Sequence, residues 1–233
     1  MADILVADDT AAMRTALSIL LEEEGYCVRL ASNGEDALAQ YRAKRPDLLL
    51  LDIMMPEKNG YQVLKQIRRD DPVLPVIFLS AKGTPADISL GLDLGSDDYL
   101  SKPFDGEVLV SRIKAVLRRV NAMNSQDTDT KDATDFHVAS CRVDVVRYVL
   151  SGPDGQETPL TAREIELLRI FATHPGEVIS RDRLLNEIWG YDYTGTTRTL
   201  DQHVVQVRRK LGIDGNCIET VRGSGYRYQG TPE

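Results

Sequence analysis

Four short apolar runs mark the first half of the chain, at residues 4–7, 48–51, 76–79 and 99–100, and helical patterns separate them. They read as buried strands, and the alternation of strand with helix predicts a parallel α/β sheet. The second half has another rhythm. Apolar and polar positions alternate over residues 135–150, and Ser151-Gly152-Pro153-Asp154-Gly155 is a strong turn signal, so a small antiparallel sheet is expected there. Thr161 then caps a helix with an apolar face of Ile165, Leu168 and Phe171, and Glu164 completes a capping box. Ser180 starts a second helix carrying Leu184, Leu185 and Ile188. A third runs from about Thr197 to Leu211. Its Leu200, Val204, Val207 and Leu211 form one stripe toward a core, and the opposite face presents Arg198, Gln202, Val205 and Arg209, flanked by Thr199 and Gln206. Residues 218–228 read as a glycine-turned hairpin with arginine and tyrosine near its tip.

Residues 121–133 break both patterns. They are rich in Asp, Ser, Thr and Asn and nearly devoid of large apolar side chains, the composition of a flexible linker. The 233 residues therefore divide into domains at 1–120 and 134–233.

The candidate chemistry lies where the predicted strands end. Asp8, Asp9, Asp52, Ser80 and Lys102 all fall at carboxyl ends, the edge at which parallel α/β sheets bind ligands. Three carboxylates suit a hard divalent cation, Mg²⁺ with Mn²⁺ as the alternative, which relieves their mutual repulsion. Asp52 can attack phosphorus to give an aspartyl phosphate, while the metal and the Lys102 ammonium neutralise the phosphoryl oxygens and Ser80 donates a hydrogen bond. An isolated acid pair is usually a cap, and an isolated Lys-Pro usually a turn. Their joint placement at successive strand ends favours the phosphoryl site.

The motifs Leu5-Val6-Ala7-Asp8-Asp9, Leu51-Asp52-Ile53-Met54-Met55-Pro56, Leu79-Ser80-Ala81 and Asp97-Asp98-Tyr99-Leu100-Ser101-Lys102-Pro103-Phe104 resemble the receiver domain of bacterial two-component response regulators. The second half resembles the winged-helix effector domain of the OmpR/PhoB subfamily through Leu160-Thr161-Ala162-Arg163-Glu164, Val178-Ile179-Ser180-Arg181, Ile188-Trp189-Gly190, Arg198-Thr199-Leu200-Asp201-Gln202-His203 and the hairpin. The resemblance implies a five-stranded, doubly wound, flavodoxin-like receiver followed by an α+β winged helix-turn-helix domain. It makes Asp52 the phosphoacceptor for a sensor histidine kinase. Asp8, Asp9 and the main-chain carbonyl of Met54 join it around Mg²⁺, and Ser80 and Tyr99 form a switch pair whose ring moves inward on phosphorylation.

The same resemblance places Trp189, Arg198, Thr199, His203 and Tyr226 on the DNA backbone and Arg222 in the minor groove, with core packing as an equal reading for Trp189. Gln202, Val205, Gln206 and Arg209 are the candidates for reading bases, through amide, guanidinium and methyl contacts in the major groove. Relatives carry more arginines on this face, so Val205 and Gln206 imply a different sequence preference. The loop 190–195, with Tyr191 and Tyr193, is the candidate contact to RNA polymerase. Homodimerisation on phosphorylation is implied through the fourth helix, fifth strand and fifth helix of the receiver. The charge pairs Asp98–Arg112 and Asp97–Arg119 lie there, Leu92 lies on the same face, and Ile88 and Val108 replace a third pair with an apolar contact.

Charge changes this picture little. The net charge is −8: residues 1–120 carry 15 basic against 19 acidic groups, 121–133 carry 1 against 3, and 134–233 carry 12 against 14. Residues 196–233 have 6 basic against 4 acidic side chains, so attraction to promoter DNA has to be local. Cys27, Cys141 and Cys217 are isolated, as in reduced thiols of a cytoplasmic protein, and no apolar run reaches membrane-spanning length. An aspartate-nucleophile phosphatase is disfavoured because Met54 stands where such enzymes place a second acid. The protein is expected to be a regulator rather than an enzyme, with at most slow loss of its own phosphoryl group. The alternative is a DNA-binding regulator independent of phosphorylation, with altered receiver dimerisation.

Overall fold

A computed structural model of the chain describes residues 1–81, 91, 94–124, 135–189 and 197–230, with the backbone alone at 118–124 and 197–198. Two compact units divide it, Met1–Ser125 and Gln126–Glu233.

In the first unit β1 (Asp3–Ala7), β2 (Cys27–Ala31), β3 (Leu48–Asp52), β4 (Val76–Ser80) and β5 (Asp98–Ser101) form one parallel sheet in the order β2-β1-β3-β4-β5. Strand residues alternate between two apolar clusters. Ile4, Val6, Leu48, Leu50, Ile77 and Leu79 pack with Leu17 and Leu21 of α1 (Ala11–Glu23) and with Leu109, Ile113 and Val116 of α4 (Gly106–Asn124). Leu5, Leu49, Leu51, Val76 and Phe78 pack on the other side with Leu38 of α2 (Gly34–Ala43) and with Val63, Leu64 and Ile67 of α3 (Gly60–Asp70). Helices on both faces leave the carboxyl ends of β1 and β3 side by side where the strand order reverses, and a binding crevice opens there. β2 has no apolar run of its own; it lies at one edge of the sheet and is only partly covered, with Cys27 and Leu30 exposed. Residues 121–124, expected in the linker, continue α4 as helix.

The second unit opens with an antiparallel sheet, β6 (Phe136–Val138), β7 (Cys141–Asp144), β8 (Val149–Ser151) and β9 (Glu157–Pro159), in sequence order. Thr161 caps α5 (Ala162–Thr173), and both bonds of the capping box with Glu164 are formed. α6 (Arg181–Trp189) and α7 (Thr197–Leu211) follow, then a 3₁₀ turn at Gly212–Cys217. β10 (Val178–Ser180) pairs with the hairpin of β11 (Ile218–Val221) and β12 (Gly225–Tyr228) in the order β10-β12-β11. Gly225 permits this pairing, since a Cβ there would stand 1.9 Å from the Ile179 carbonyl oxygen. One core binds the three helices to both sheets, with Ile165, Leu168, Phe171, Leu184, Ile188, Leu200, Val204 and Val207 at its centre. This is the winged-helix arrangement, with α7 as its third helix and β11–β12 as the wing.

Candidate phosphoacceptor site and nucleic-acid face

β1 ends at Ala7, so Asp8 and Asp9 begin the loop into α1, and Asp52 is the last residue of β3. Oxygens of Asp8, Asp9 and Asp52 converge within 4.8 Å of one another. Asp8 and Asp52 are buried, at 0 % and 4 % exposure, and Asp9 is open to solvent. Lys102, just past β5, bridges the two buried acids: its Nζ lies 2.6 Å from Asp8 Oδ2 and 3.1 Å from Asp52 Oδ2. The Met54 main-chain N–H donates to Asp52 Oδ1 at 3.4 Å, and the Thr10 N–H donates to Asp8 Oδ1 at 2.8 Å.

Burial pushes the Asp52 carboxyl above its ordinary range; Lys102 opposes this, and the Asp8 charge adds to it. Burial works against the Lys102 ammonium too, but hydrogen bonding to Asp8 and attraction to Asp52 outweigh it and hold the lysine above its usual value. Among the described residues this is the one cluster of three or more acidic, His or Cys side chains with metal-ligand spacing. Two desolvated carboxylates, a third open to solvent and a neighbouring ammonium fit a hard divalent cation with room for a phosphoryl group.

Ser80 ends β4 and is fully buried, and the Lys102 N–H donates to its carbonyl at 2.8 Å. The Tyr99 ring is already inside, 6 % exposed and 6.3 Å from Phe78, which in turn meets Tyr61 edge-on at 5.4 Å. Arg14 was not among the residues singled out from the sequence. Its Nη1 donates to the main-chain carbonyls of Asp8 at 2.7 Å and Asp9 at 2.9 Å. Its position one turn into the helix after an acid pair was the available signal.

Three of the four charges that the resemblance assigns to a dimer contact have partners within the chain. Arg112 Nη1 pairs with Asp98 Oδ2, and Asp97 accepts from Arg68 at 3.3 Å and from the Val76 N–H at 2.9 Å. Val108 is half-buried against the α1–α4 core. Ile88, Leu92 and the Arg119 side chain lie outside the described residues.

On α7 the apolar stripe is buried as the spacing predicts, but the outward face is narrower. Val205 and Arg209 are exposed and Gln202 is half-buried, whereas Thr199, His203 and Gln206 are only 3–4 % exposed. The flanks turn inward because α5 and α6 and the turn after the helix all pack against α7. Gln206 Oε1 accepts from Arg209, so it lies beneath that guanidinium rather than beside it on the surface. His203 Nδ1 sits 2.8 Å from the Thr199 carbonyl, and its ring meets Trp189 at 5.0 Å. Trp189 is 1 % exposed beneath the Arg163 guanidinium, which supports the packing reading. Tyr226 is 3 % exposed, its hydroxyl donating to Asp201 and its ring centre 4.8 Å from the Arg181 guanidinium and 5.6 Å from that of Arg208. Burial and the Asp201 contact push its hydroxyl up to about 12. Arg222 stands exposed at the wing turn, before Gly223 with φ +74°. The Arg198 side chain and the loop 190–195 lie outside the described residues.

Residues 4–114 match the response regulator receiver domain family, and residues 155–228 match the family of the transcriptional regulatory protein C-terminal domain. The chain belongs to the two-component response regulators of the OmpR/PhoB type and is a transcriptional regulator with a receiver and a DNA-binding domain. It is 40 % identical over 232 residues to the transcriptional regulatory protein CseB of Streptomyces avermitilis, covering 97 % of each chain. It is 37 % identical over 233 residues to the alkaline phosphatase synthesis transcriptional regulatory protein PhoP of Bacillus subtilis, covering 97 % of this chain and 96 % of that one. Among solved structures, the response regulator DrrB, a Thermotoga maritima OmpR/PhoB homolog, is similar at a TM-score of 0.52 and 27 % identity, over 99 % of this chain and 100 % of that one. Among the described residues no helix is long and apolar enough to cross a membrane.

Proposed function

We propose that this regulator is switched by phosphorylation of Asp52 by a sensor histidine kinase, and that the switched form pairs with a second copy on promoter DNA. The observation that carries this reading is the meeting of Asp8, Asp9 and Asp52 within 4.8 Å beside the Lys102 ammonium. An Asp52 carboxylate oxygen attacks the phosphorus of a phosphohistidine. The P–N bond breaks, its electron pair returns to the imidazole, and a proton from solvent completes the leaving group. Asp8, Asp9, Asp52 and the Met54 carbonyl are the residues to hold Mg²⁺, whose charge offsets that of the phosphoryl oxygens. Lys102 stabilises the same oxygens, and the Ser80 hydroxyl turns to donate to the new phosphoryl group, with Tyr99 held inward beneath it.

Output runs through the winged helix. Gln202, Val205 and Arg209 on α7 face the major groove, Arg222 reaches into the minor groove from the wing, and the loop 190–195 is the candidate contact to RNA polymerase. The buried Thr199, His203, Gln206, Trp189 and Tyr226 support these contacts from beneath. Pairing of receivers raises the effective concentration of one winged helix at the site beside the other, giving avidity from two weak contacts.

Sedimentation velocity with Mg²⁺ and a small phosphodonor tests the reading. Wild type should gain the phosphoryl mass and dimerise, and Asp52→Asn should do neither. A wild-type chain that gains no phosphoryl mass would refute phosphorylation at this site. A phosphorylated chain that stays monomeric would refute the coupling alone.

A further inference from the structure

We propose that Arg14 is a positioning residue for the carboxylate site, holding the Asp8–Asp9 turn in the shape that gathers a divalent cation. The inference rests on the metal-assisted reading above. One nitrogen, Arg14 Nη1, donates to two successive main-chain carbonyls, Asp8 at 2.7 Å and Asp9 at 2.9 Å. Two adjacent carbonyls reach one donor only when the peptide between them is turned to a particular angle, and that angle aims both Asp side chains. The anchor is itself fixed, because the Arg14 N–H bonds the Thr10 carbonyl at 3.1 Å in the first turn of α1, and the Thr10 N–H holds Asp8 Oδ1.

Arg14 differs from the other cation of the site. Lys102 touches carboxylate oxygens and competes with a metal for them. Arg14 touches carbonyls alone in this loop, so its contacts and its charge persist when a metal enters. Asp9 is the exposed member of a triad of like charges, and it has most to gain electrostatically by swinging away. Tying its carbonyl to a guanidinium resists that release. An arginine suits the task because its planar, permanently charged fork holds fixed directions where an ammonium would not.

Groups behind a metal's direct ligands change affinity by about 10- to 100-fold when removed. The test uses the full chain as wild type, Arg14→Met, which keeps the stem and removes the donors, and Arg14→Lys, which keeps the charge. Calorimetric titration with MgCl₂ should show binding at least about tenfold weaker for Arg14→Met, with Arg14→Lys in between. Phosphorylation by phosphoramidate should need correspondingly more Mg²⁺ in Arg14→Met yet approach the wild-type rate at saturation. Unchanged Mg²⁺ affinity in a variant that keeps its circular dichroism and melting temperature would overturn the proposal. So would a rate defect that survives saturating Mg²⁺ while affinity is intact, since Arg14 would then act on the phosphoryl group itself. A wild-type chain that binds no Mg²⁺ would instead overturn the metal-assisted reading on which the inference stands.

Discussion

Arg112 Nη1 stands 2.8 Å from Asp98 Oδ2, and the two side chains are 7 % and 1 % exposed. The same nitrogen also donates to the Tyr99 carbonyl at 3.2 Å. The pair therefore fastens α4 to β5 inside one chain, at residues that the family resemblance assigns to a contact between chains. Breaking one side of a buried pair strands the other charge, at a cost of about 3–5 kcal/mol. Asp98→Ala should destabilise the receiver by that order, and Asp98→Leu with Arg112→Met should be much milder. Trp189, the chain's one tryptophan, reports on the other unit. A urea titration should thus shift the circular dichroism transition of the receiver while Trp189 fluorescence holds its midpoint.

Gly60 begins α3 directly behind the phosphoacceptor, and a Cβ there would lie 2.3 Å from the Asp52 carbonyl oxygen. Gly60→Ala must push α3 away from the end of β3, so a loss of about 1–3 kcal/mol is expected together with slower phosphorylation. Gly106→Ala is the control. The nearest atom to its Cβ would be a Leu20 methyl at 3.3 Å, which can yield. Phosphorylation rates from intact-mass time courses should separate the two variants.

The Tyr226 hydroxyl is pushed up from 10.0 to about 12 by burial and by Asp201. The folded state thus holds this proton more tightly than the unfolded chain does. The stabilisation is fully present below about pH 10, and it is lost as pH rises toward about 12, by on the order of 2 kcal/mol. Thermal melting followed by Trp189 fluorescence should fall more steeply over that window in wild type than in Tyr226→Phe. Equal slopes would show that other groups dominate.

Arg222 is exposed at the wing turn and Val205 is exposed on α7. Under the proposed DNA contacts, Arg222→Ala should weaken binding and reduce the slope of log K against log salt by about 1. Val205→Ala should leave that slope alone and change the preference among sites. Fluorescence anisotropy over a salt series, with two competing duplexes, distinguishes these outcomes.

The amino-acid sequence by itself determines whatever depends on local periodicity. Four apolar runs located β1, β3, β4 and β5, because helices cover both faces of the sheet and these strands are buried almost along their whole length. Thr161 and Glu164 announced the start of α5, and the spacing of Leu200, Val204, Val207 and Leu211 oriented α7. The carboxylate site was legible because strand ends are the places where such sheets gather polar groups.

Only the tertiary structure decided what covers a given face. Thr199, His203 and Gln206 sit on helical positions that geometry alone leaves at the margin, and packing on more than one side of α7 sends them inward. β2 and β5 both lie at an edge of the sheet, yet β5 is buried and β2 is mostly open to solvent, a difference that depends on what packs over each edge. Asp98 and Arg112 could have met within one chain or between two, since a charge pair carries no address in the sequence; here they meet within one. Arg14 is a residue of ordinary type at an ordinary helical position, and its role comes from the carbonyls that the folded loop turns toward it. Periodicity is written residue by residue along the chain, whereas burial and pairing depend on neighbours that only folding supplies.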